Sequence, residues 1–403
     1  MKFKKIIIAL LASLFIFTSC ESTPDATSSA SGKNSTTRQA SKGPIFEGWK
    51  GEWHTIELGL SDSSLEDVYA KTASKMPNYT VDGLKAAVAS MYATGTNIVK
   101  IKFDGSSRVV FTVLDEGKEK EIEADYIYTG KKEMPGYKDH YWETFEIAKN
   151  VRGLTNAKYM VFTDVHGGDE GLEHFHCRFN GRSIDSAIAG SNWPTFTRTS
   201  KTKAELVKYH SENIANYAKM FPSSPFEDFA KKGKWINRSA AYRNPSKEVD
   251  AAYQKLIKEF AGKNPKGGDF TKNEVIKILE DRFAVPSFTD VEFNVENGKN
   301  EMKIYKDGKL LFASSYKRVA ANPSKPGMLA VKSDKTNAGK YTTISFTGIH
   351  GKPLHSHFWY GESDKDLNNF KAAPTIMPAD SSNADIAVHV EGAGRIALNE
   401  FIK

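Results

Sequence analysis

The stretch Val161-Phe-Thr-Asp-Val-His-Gly-Gly-Asp-Glu-Gly-Leu-Glu-His-Phe-His-Cys-Arg-Phe179 places His166, His174 and His176 within eleven residues. Side chains on a β-strand alternate between faces, so His174 and His176 share one face while Phe175 and Cys177 take the other. His166 closes the preceding strand, and the loop from Gly167 to Glu173 lets the two strands lie side by side. Three imidazoles then converge on one point. Three nitrogen donors with a fourth position open form a donor set for a borderline divalent ion such as zinc. Imidazole also suits copper, nickel and cobalt, so these residues alone do not choose among them. Cys177 adjoins His176, but alternation turns it away, and a buried, unreactive thiol is expected there.

The pattern occurs twice. Ile344-Ser-Phe-Thr-Gly-Ile-His350 is followed by His355-Ser-His357-Phe358, so Phe346-Thr347-x-x-His350 repeats Phe162-Thr163-x-x-His166 and His355-x-His357 repeats His174-x-His176. Pro374-Thr375 echoes Pro194-Thr195. Upstream, Gly233-Lys-Trp235 answers Gly51-Glu-Trp53. A helix over Ser246–Phe260, with Val249, Tyr253, Leu256 and Phe260 on one stripe, answers a helix over Ser63–Met76. In the earlier helix Ser63 and Glu66 form a capping box, and Leu65, Val68, Tyr69, Thr72 and Met76 form the stripe. Phe270-Thr271 to Phe283 answers Tyr79-Thr80 to Tyr92. Val291, Phe293 and Val295 before Asn297-Gly298 answer Val99, Ile101 and Phe103 before the hairpin turn at Asp104-Gly105. Further strands are expected over Arg108–Val113, Ile122–Thr129, Trp142–Ala148, Tyr159–Val165 and His174–Phe179, with a helix near Lys203–Tyr217. The chain reads as a tandem duplication, with domains over residues 46–228 and 229–403.

Six of the ten histidines fall into the two constellations. The candidate metal ligands are therefore His166, His174 and His176 in the first copy and His350, His355 and His357 in the second. His54 has no counterpart, since Ile236 follows Trp235. His140 sits in a tyrosine-rich loop and is expected to be exposed. His210 and His389 lie near the end of each copy, loosely equivalent, and are expected on helix surfaces. Asp169, Glu170 and Glu173 line the first loop, where they can attract a cation or supply a fourth ligand; a solvated acidic loop is the equal alternative. The second loop, Gly351 to Leu354, is shorter and has no acid. The second site is accordingly expected to bind metal more weakly or with different selectivity.

Residues 1–19 combine Lys2, Lys4 and Lys5 with an apolar run from Ile6 to Phe17, the form of a signal peptide. The run is shorter than the roughly 20 residues a membrane-spanning helix needs. Cys20 after Ser19 resembles the bacterial lipobox, in which that cysteine carries lipid. Residues 20–45, rich in Ser, Thr, Ala and Gly without apolar periodicity, read as a disordered tether. The chain has 403 residues, 26% of them charged, and a formal net charge of +7. Lysines and acids interleave without a basic stripe, which argues against a nucleic-acid partner. With Cys20 lipidated, the one other cysteine has no disulfide partner.

The stretches Gly51-Glu-Trp53, Phe162–His166, His174-Phe-His176, Asn192-Trp193-Pro194-Thr195 and Glu205–His210 together resemble the ZinT (YodA) family of periplasmic zinc- and cadmium-binding proteins. The resemblance covers about residues 46–215; the second copy keeps the histidines and helices but has Ala373 where Trp193 stands. It implies a mainly β (α+β) fold of two tandem calycin-like, lipocalin-like antiparallel β-barrels, each with flanking helices and a metal held by three histidines. It also implies a non-enzymatic protein of the bacterial envelope; with Cys20 lipidated, a departure from the family's soluble single-domain form, the chain is expected to face the periplasm or cell surface and touch the membrane only through its lipid. Such a protein would capture zinc and buffer it, or pass it to the solute-binding component of an ABC zinc importer. The alternative is a zinc-dependent hydrolase or lyase using the open three-histidine site. That reading needs a positioned general base, and no acid or hydroxyl constellation accompanies both copies.

Overall fold

The computed structural model describes residues 45–168, 171–190, 192–283, 288–296, 298–320, 328–363, 365–368 and 374–403. Cys20, the expected signal peptide, all of the expected tether but Ile45, and the loop acids Asp169 and Glu170 lie outside the described residues. These residues divide into two compact units, one of 45–69 with 87–220 and one of 70–86 with 221–403.

In the first unit eight strands form a closed antiparallel barrel in chain order. They are β1 Gly51–Thr55, β2 Ile98–Phe103, β3 Arg108–Asp115, β4 Lys118–Met134, β5 Tyr137–Ile147, β6 Tyr159–Phe162, β7 His174–Asn180 and β8 Thr195–Arg198. β1 closes the ring by pairing with β8 in the register Trp53↔Arg198, His54↔Thr197 and Thr55↔Phe196. Closure leaves no edge strand to recruit another chain. Period-two patterning explains the core: Ile101 and Phe103, Val109, Phe111 and Val113, Phe175 and Cys177 all turn inward and are buried. Phe46, Phe103, Phe145 and Phe162 fill the barrel with ring centroids 4.7–6.3 Å apart. Each such side chain contributes roughly 1.5–3 kcal/mol by leaving water.

Four helices accompany this barrel in the sequence: α1 Glu66–Ala73, α2 Val81–Tyr92, α3 Ile184–Ile188 and α4 Lys203–Ala218. The helix expected from Ser63 begins as a 3-10 turn, Ser63–Leu65, and it is Asp62 that caps it, accepting from the Ser64 amide. Asp62, one residue earlier, takes the cap position in place of the expected Ser63–Glu66 capping box. Thr202 and Glu205 form a reciprocal capping box at the start of α4. His210 on α4 is fully buried, contrary to the expected surface position. It shares an inward stripe with Leu206, Ile214 and Tyr217, and Nε2 bonds the Ile56 carbonyl at 2.8 Å. His140 is exposed as expected.

The second unit repeats the barrel in the order β10-β11-β12-β13-β14-β15-β16-β9, closed by β9 pairing with both β10 and β16. Its strands are β9 Lys234–Asn237, β10 Asp290–Glu296, β11 Lys299–Lys306, β12 Lys309–Val319, β13 Leu329–Ser333, β14 Thr343–Phe346, β15 Ser356–Gly361 and β16 Thr375–Pro378. Trp235, Phe293, Phe346 and Phe358 stand in its core. Of its helices α5 Glu227–Ala230, α6 Arg238–Tyr242, α7 Lys247–Glu259, α8 Lys272–Phe283 and α9 Asn383–Phe401, the last four join a separate apolar layer built on Val249, Leu256, Leu279 and Val390. His389 on α9 is 4% exposed, again not on the surface, because the face of α9 formed by Ile386, Val390 and Ala393 packs inward.

Burial lowers the pKa of His210 and of His54, with Lys100 also opposing a charge on His54. The unfolded chain then takes up protons before the folded one as pH falls. The stability these groups carry is whole above about pH 6.5 and is lost below it, at no more than about 1.4 kcal/mol per pH unit for each group. His210→Gln is expected to lower stability at pH 7.5 yet narrow the loss between pH 7.5 and 5.5. Calorimetric melting of metal-free protein at the two pH values measures both effects.

Candidate metal centres

β6 ends at Phe162 rather than running to Val165, and the reason lies in Thr163. Its amide bonds the His176 carbonyl at 2.9 Å while its hydroxyl accepts from the His176 amide at 2.9 Å. A side chain therefore takes over part of the ladder. Phe162 pairs with Cys177, and an isolated bridge then pairs His166 with His174. Four steps along one strand face three on the other, so one residue is extra, as in a β-bulge. The bulge brings His166 onto the face of His174 and His176. The second copy does the same: Phe346 pairs with Phe358, His350 bridges His355, and the Thr347 hydroxyl accepts from the His357 amide at 3.0 Å.

The result is two triads. Ring centroids lie 4.2, 5.2 and 5.1 Å apart among His166, His174 and His176, and 4.4, 5.3 and 5.4 Å apart among His350, His355 and His357. In each triad one ring nitrogen from every histidine lies within 4.8 Å of the others. All six residues singled out in the sequence are thus brought together.

Each imidazole is held by Nδ1. The acceptors are the carbonyls of Asp164 (2.8 Å) and Leu172 (2.7 Å) for His166 and His174, and the Thr195 hydroxyl (2.9 Å) for His176. In the second triad they are the carbonyls of Gly348 (2.7 Å) and Pro353 (2.9 Å) and the Thr375 hydroxyl (3.0 Å). A carbonyl only accepts, so the proton sits on Nδ1 and the Nε2 lone pair is left for a ligand. Thr195 sends its own proton to the Trp193 carbonyl at 2.9 Å, which makes it an acceptor toward His176. Carbonyl or hydroxyl partners of this kind fix the tautomer of metal-binding histidines. The donor set therefore fits a divalent ion of the zinc type, with three neutral nitrogens in each triad.

The surroundings reinforce neutrality. Burial pulls the His176 pKa well below its ordinary value, and His174, His166 and Arg178 add to the effect. Arg178 is itself buried, stacked over Trp142 and Trp193 at 4.8 and 4.7 Å and donating to the carbonyls of Asn192 and Ile188. Trp193 stands edge-on to His176 at 5.3 Å; in the second unit Trp359 stands 5.8 Å from His357. His355 is depressed to about 2 by burial first, then by Arg238 and His350. The triads differ in access: His166 is exposed, whereas His350 and His355 are buried.

Glu173 is not aimed at the first triad. Both of its carboxylate oxygens accept from Arg198, at 2.9 and 3.0 Å. Cys177 is fully buried and its thiol is pushed well above the usual range, as alternation requires. The sequence reading did not assign Gly167 and Gly351, although each directly follows the first histidine of its triad. Both have positive φ, 81° and 78°. A Cβ on Gly167 would stand 2.6 Å from the Leu172 carbonyl and 2.7 Å from the His174 ring; one on Gly351 would stand 2.5 Å from His355 Cε1. In the sequence Thr195 and Thr375 stand out only through the echo of Pro194-Thr195 in Pro374-Thr375. Their repetition beside the repeated histidines was the available signal.

Two eight-stranded lipocalin-like barrels, each bearing a three-histidine cluster, define the class of this protein as a duplicated barrel with paired imidazole centres. Residues 35–212 match the model of the ZinT (YodA) family, described as periplasmic, lipocalin-like and zinc-recruiting. The chain is similar to the probable metal-binding protein YrpE of Bacillus subtilis (strain 168), 23% identical over 163 residues that make up 38% of this chain and 59% of that protein. It is also similar to the zinc-binding protein AdcA of Streptococcus pyogenes serotype M3 (strain ATCC BAA-595 / MGAS315), 25% identical over 163 residues, 40% of this chain and 30% of that one. The alignments thus leave a large part of both relatives uncovered. Among solved structures, the zinc-bound ZinT-like domain of Streptococcus pneumoniae AdcA is 22% identical, with 41% of this chain and 89% of that chain covered and a TM-score of 0.31.

Replacing Thr195 or Thr375 by Val removes the acceptor of one Nδ1 proton while keeping all three ligands. Divalent-metal affinity at the altered triad is expected to fall roughly 10–100-fold, measured by competition with a chromophoric chelator. Gly167→Ala is expected to weaken the first triad alone by a comparable factor, because the new methyl group occupies the space between the His174 ring and its carbonyl.

Proposed function

We propose that both triads bind zinc and that the protein works in zinc recruitment at the bacterial cell envelope. The observation carrying this reading is that two diverged copies keep the same three imidazoles, the same bulge and the same Nδ1 acceptors. Selection for a barrel alone would not preserve that combination of ligand, tautomer and geometry. The family match and the zinc-binding relatives support zinc among the metals imidazole accepts. Cadmium, nickel, cobalt and copper fit the same donor set in principle. Binding rather than catalysis is favoured because the hydroxyl beside each triad is already engaged in orienting an imidazole.

In this reading Cys20 carries a lipid after removal of residues 1–19. Residues 20–45 tether the two domains, bounded at 46–228 and 229–403, and the membrane is touched only through the lipid. The protein buffers zinc or hands it to the solute-binding component of an ABC zinc importer. Three protein ligands leave room for an incoming donor from a recipient, so exchange can proceed without first stripping the ion bare. The exposed His166 suits the first centre to this exchange. The second centre binds more weakly, and Arg238 supplies a reason beyond its shorter loop: a fixed positive charge acts on His355.

Chelator-stripped protein is expected to take up two zinc ions, the first more tightly. His174→Ala/His176→Ala should leave the weaker site, and His355→Ala/His357→Ala the tighter one; all four together should leave none. Calorimetric titration with melting curves as a folding control measures this. Zinc binding that survives all four substitutions would falsify the reading.

A further inference from the structure

The helix caps set the register between the copies. Thr55 caps the turn after β1 by accepting from the Glu57 amide, and Asn237 caps the turn after β9 by accepting from the Ser239 amide. Ile56 therefore corresponds to Arg238. The capping boxes Thr202/Glu205 and Ser382/Asp385 align α4 with α9, so His389 corresponds to Tyr209 rather than to His210. Where the first copy has an isoleucine and a tyrosine, the second has an arginine and a histidine.

The arginine and the histidine meet. Arg238 and His389 are 3% and 4% exposed, and Arg238 Nη2 lies 2.6 Å from His389 Nδ1. A guanidinium has no lone pair to offer, so Nδ1 must accept and the proton of His389 resides on Nε2. That tautomer cannot ligate a metal through Nε2; it can only donate there. The Nε2–H group is buried and makes no hydrogen bond with any described residue, a state that leaves its desolvation uncompensated unless an acceptor arrives. The His389 ring lies 5.0 Å from the His355 ring. The second cluster contains three histidines and no carboxylate. A divalent ion there adds two positive charges near the Arg238 guanidinium, and a carboxylate arriving with the metal offsets them.

We propose that the second centre binds a small carboxylate together with its metal, the carboxylate accepting from His389 Nε2–H and balancing Arg238. This rests on the reading of His350, His355 and His357 as metal ligands. The first centre has Ile56 and Tyr209 at these positions, so no imidazole N–H there calls for the anion. Metal binding at the second site is then strengthened by the anion, and the two halves respond to different solutes.

The test uses the full chain with His166→Ala/His174→Ala/His176→Ala, loaded with Co(II) in a buffer free of chloride and carboxylates. Acetate is added while the visible absorption of the cobalt is followed. Acetate is expected to change the spectrum saturably and to tighten Co(II) binding. In Arg238→Ile/His389→Tyr, which installs the pair the first barrel already accommodates, acetate affinity should fall about tenfold or more. His389→Gln, which keeps an acceptor for Arg238 and an N–H donor, should retain most of the response. A spectrum indifferent to acetate, or equal acetate affinity in the double variant, overturns the proposal while leaving the metal assignment intact. A chloride response matching that of acetate overturns the choice of carboxylate. Failure of folded protein to bind Co(II) at all overturns the metal assignment and the proposal together.

Discussion

Two backbone hydrogen bonds of 2.9 Å, from the His166 amide to the His174 carbonyl and back again, hold the loop ends of β6 and β7 together. They stand one residue out of register with the ladder that precedes them, and this offset is what makes a site. In perfect register the first histidine would turn to the opposite face and only His-x-His would remain. Thr163 stabilises the offset by bonding both polar groups of the His176 backbone. Gly167 permits the tight turn that follows. The bulge, the threonine and the glycine act as one local device, and Thr347, Gly351 and the His350–His355 bridge reproduce it.

The device is precise because its support is rigid. Phe175 and Cys177, interleaved with His174 and His176, are fully buried in the barrel core. The strand cannot rotate to move its histidines without exposing that core. The same alternation that fills the barrel with aromatic rings thus aims the imidazoles outward, and packing energy is converted into ligand geometry. Acceptors at Nδ1 finish the task by setting tautomers, so the neutral nitrogen lone pairs converge before any ion arrives.

Both copies keep the triad histidines, while residues beside the triads differ. Arg178 beside the first triad is caged by two tryptophans and carbonyls, whereas Arg238 beside the second is turned to a histidine. An arginine held by carbonyls is a structural strut. One held by an imidazole polarises that ring and leaves an N–H seeking an acceptor. The two sites therefore share a donor set but not an electrostatic setting.

Much was legible from one dimension. Strand alternation, the repeated Phe-Thr-x-x-His and His-x-His spacing and the exclusion of Cys177 depend only on local geometry and on comparing one half with the other. The sequence by itself determined a repeated set of strands and helices with six particular histidines in two sets, and the barrel was an expectation from the family resemblance. Tertiary structure decided the rest. Whether His210 and His389 face water depended on which side of a helix finds an apolar partner, and nothing local states that. Glu173 was a free loop acid until folding brought Arg198 on β8 beside it. The meeting of Arg238 with His389 joins residues 151 apart in the chain. A contact of that range arises from chain closure, which no run of neighbouring residues encodes.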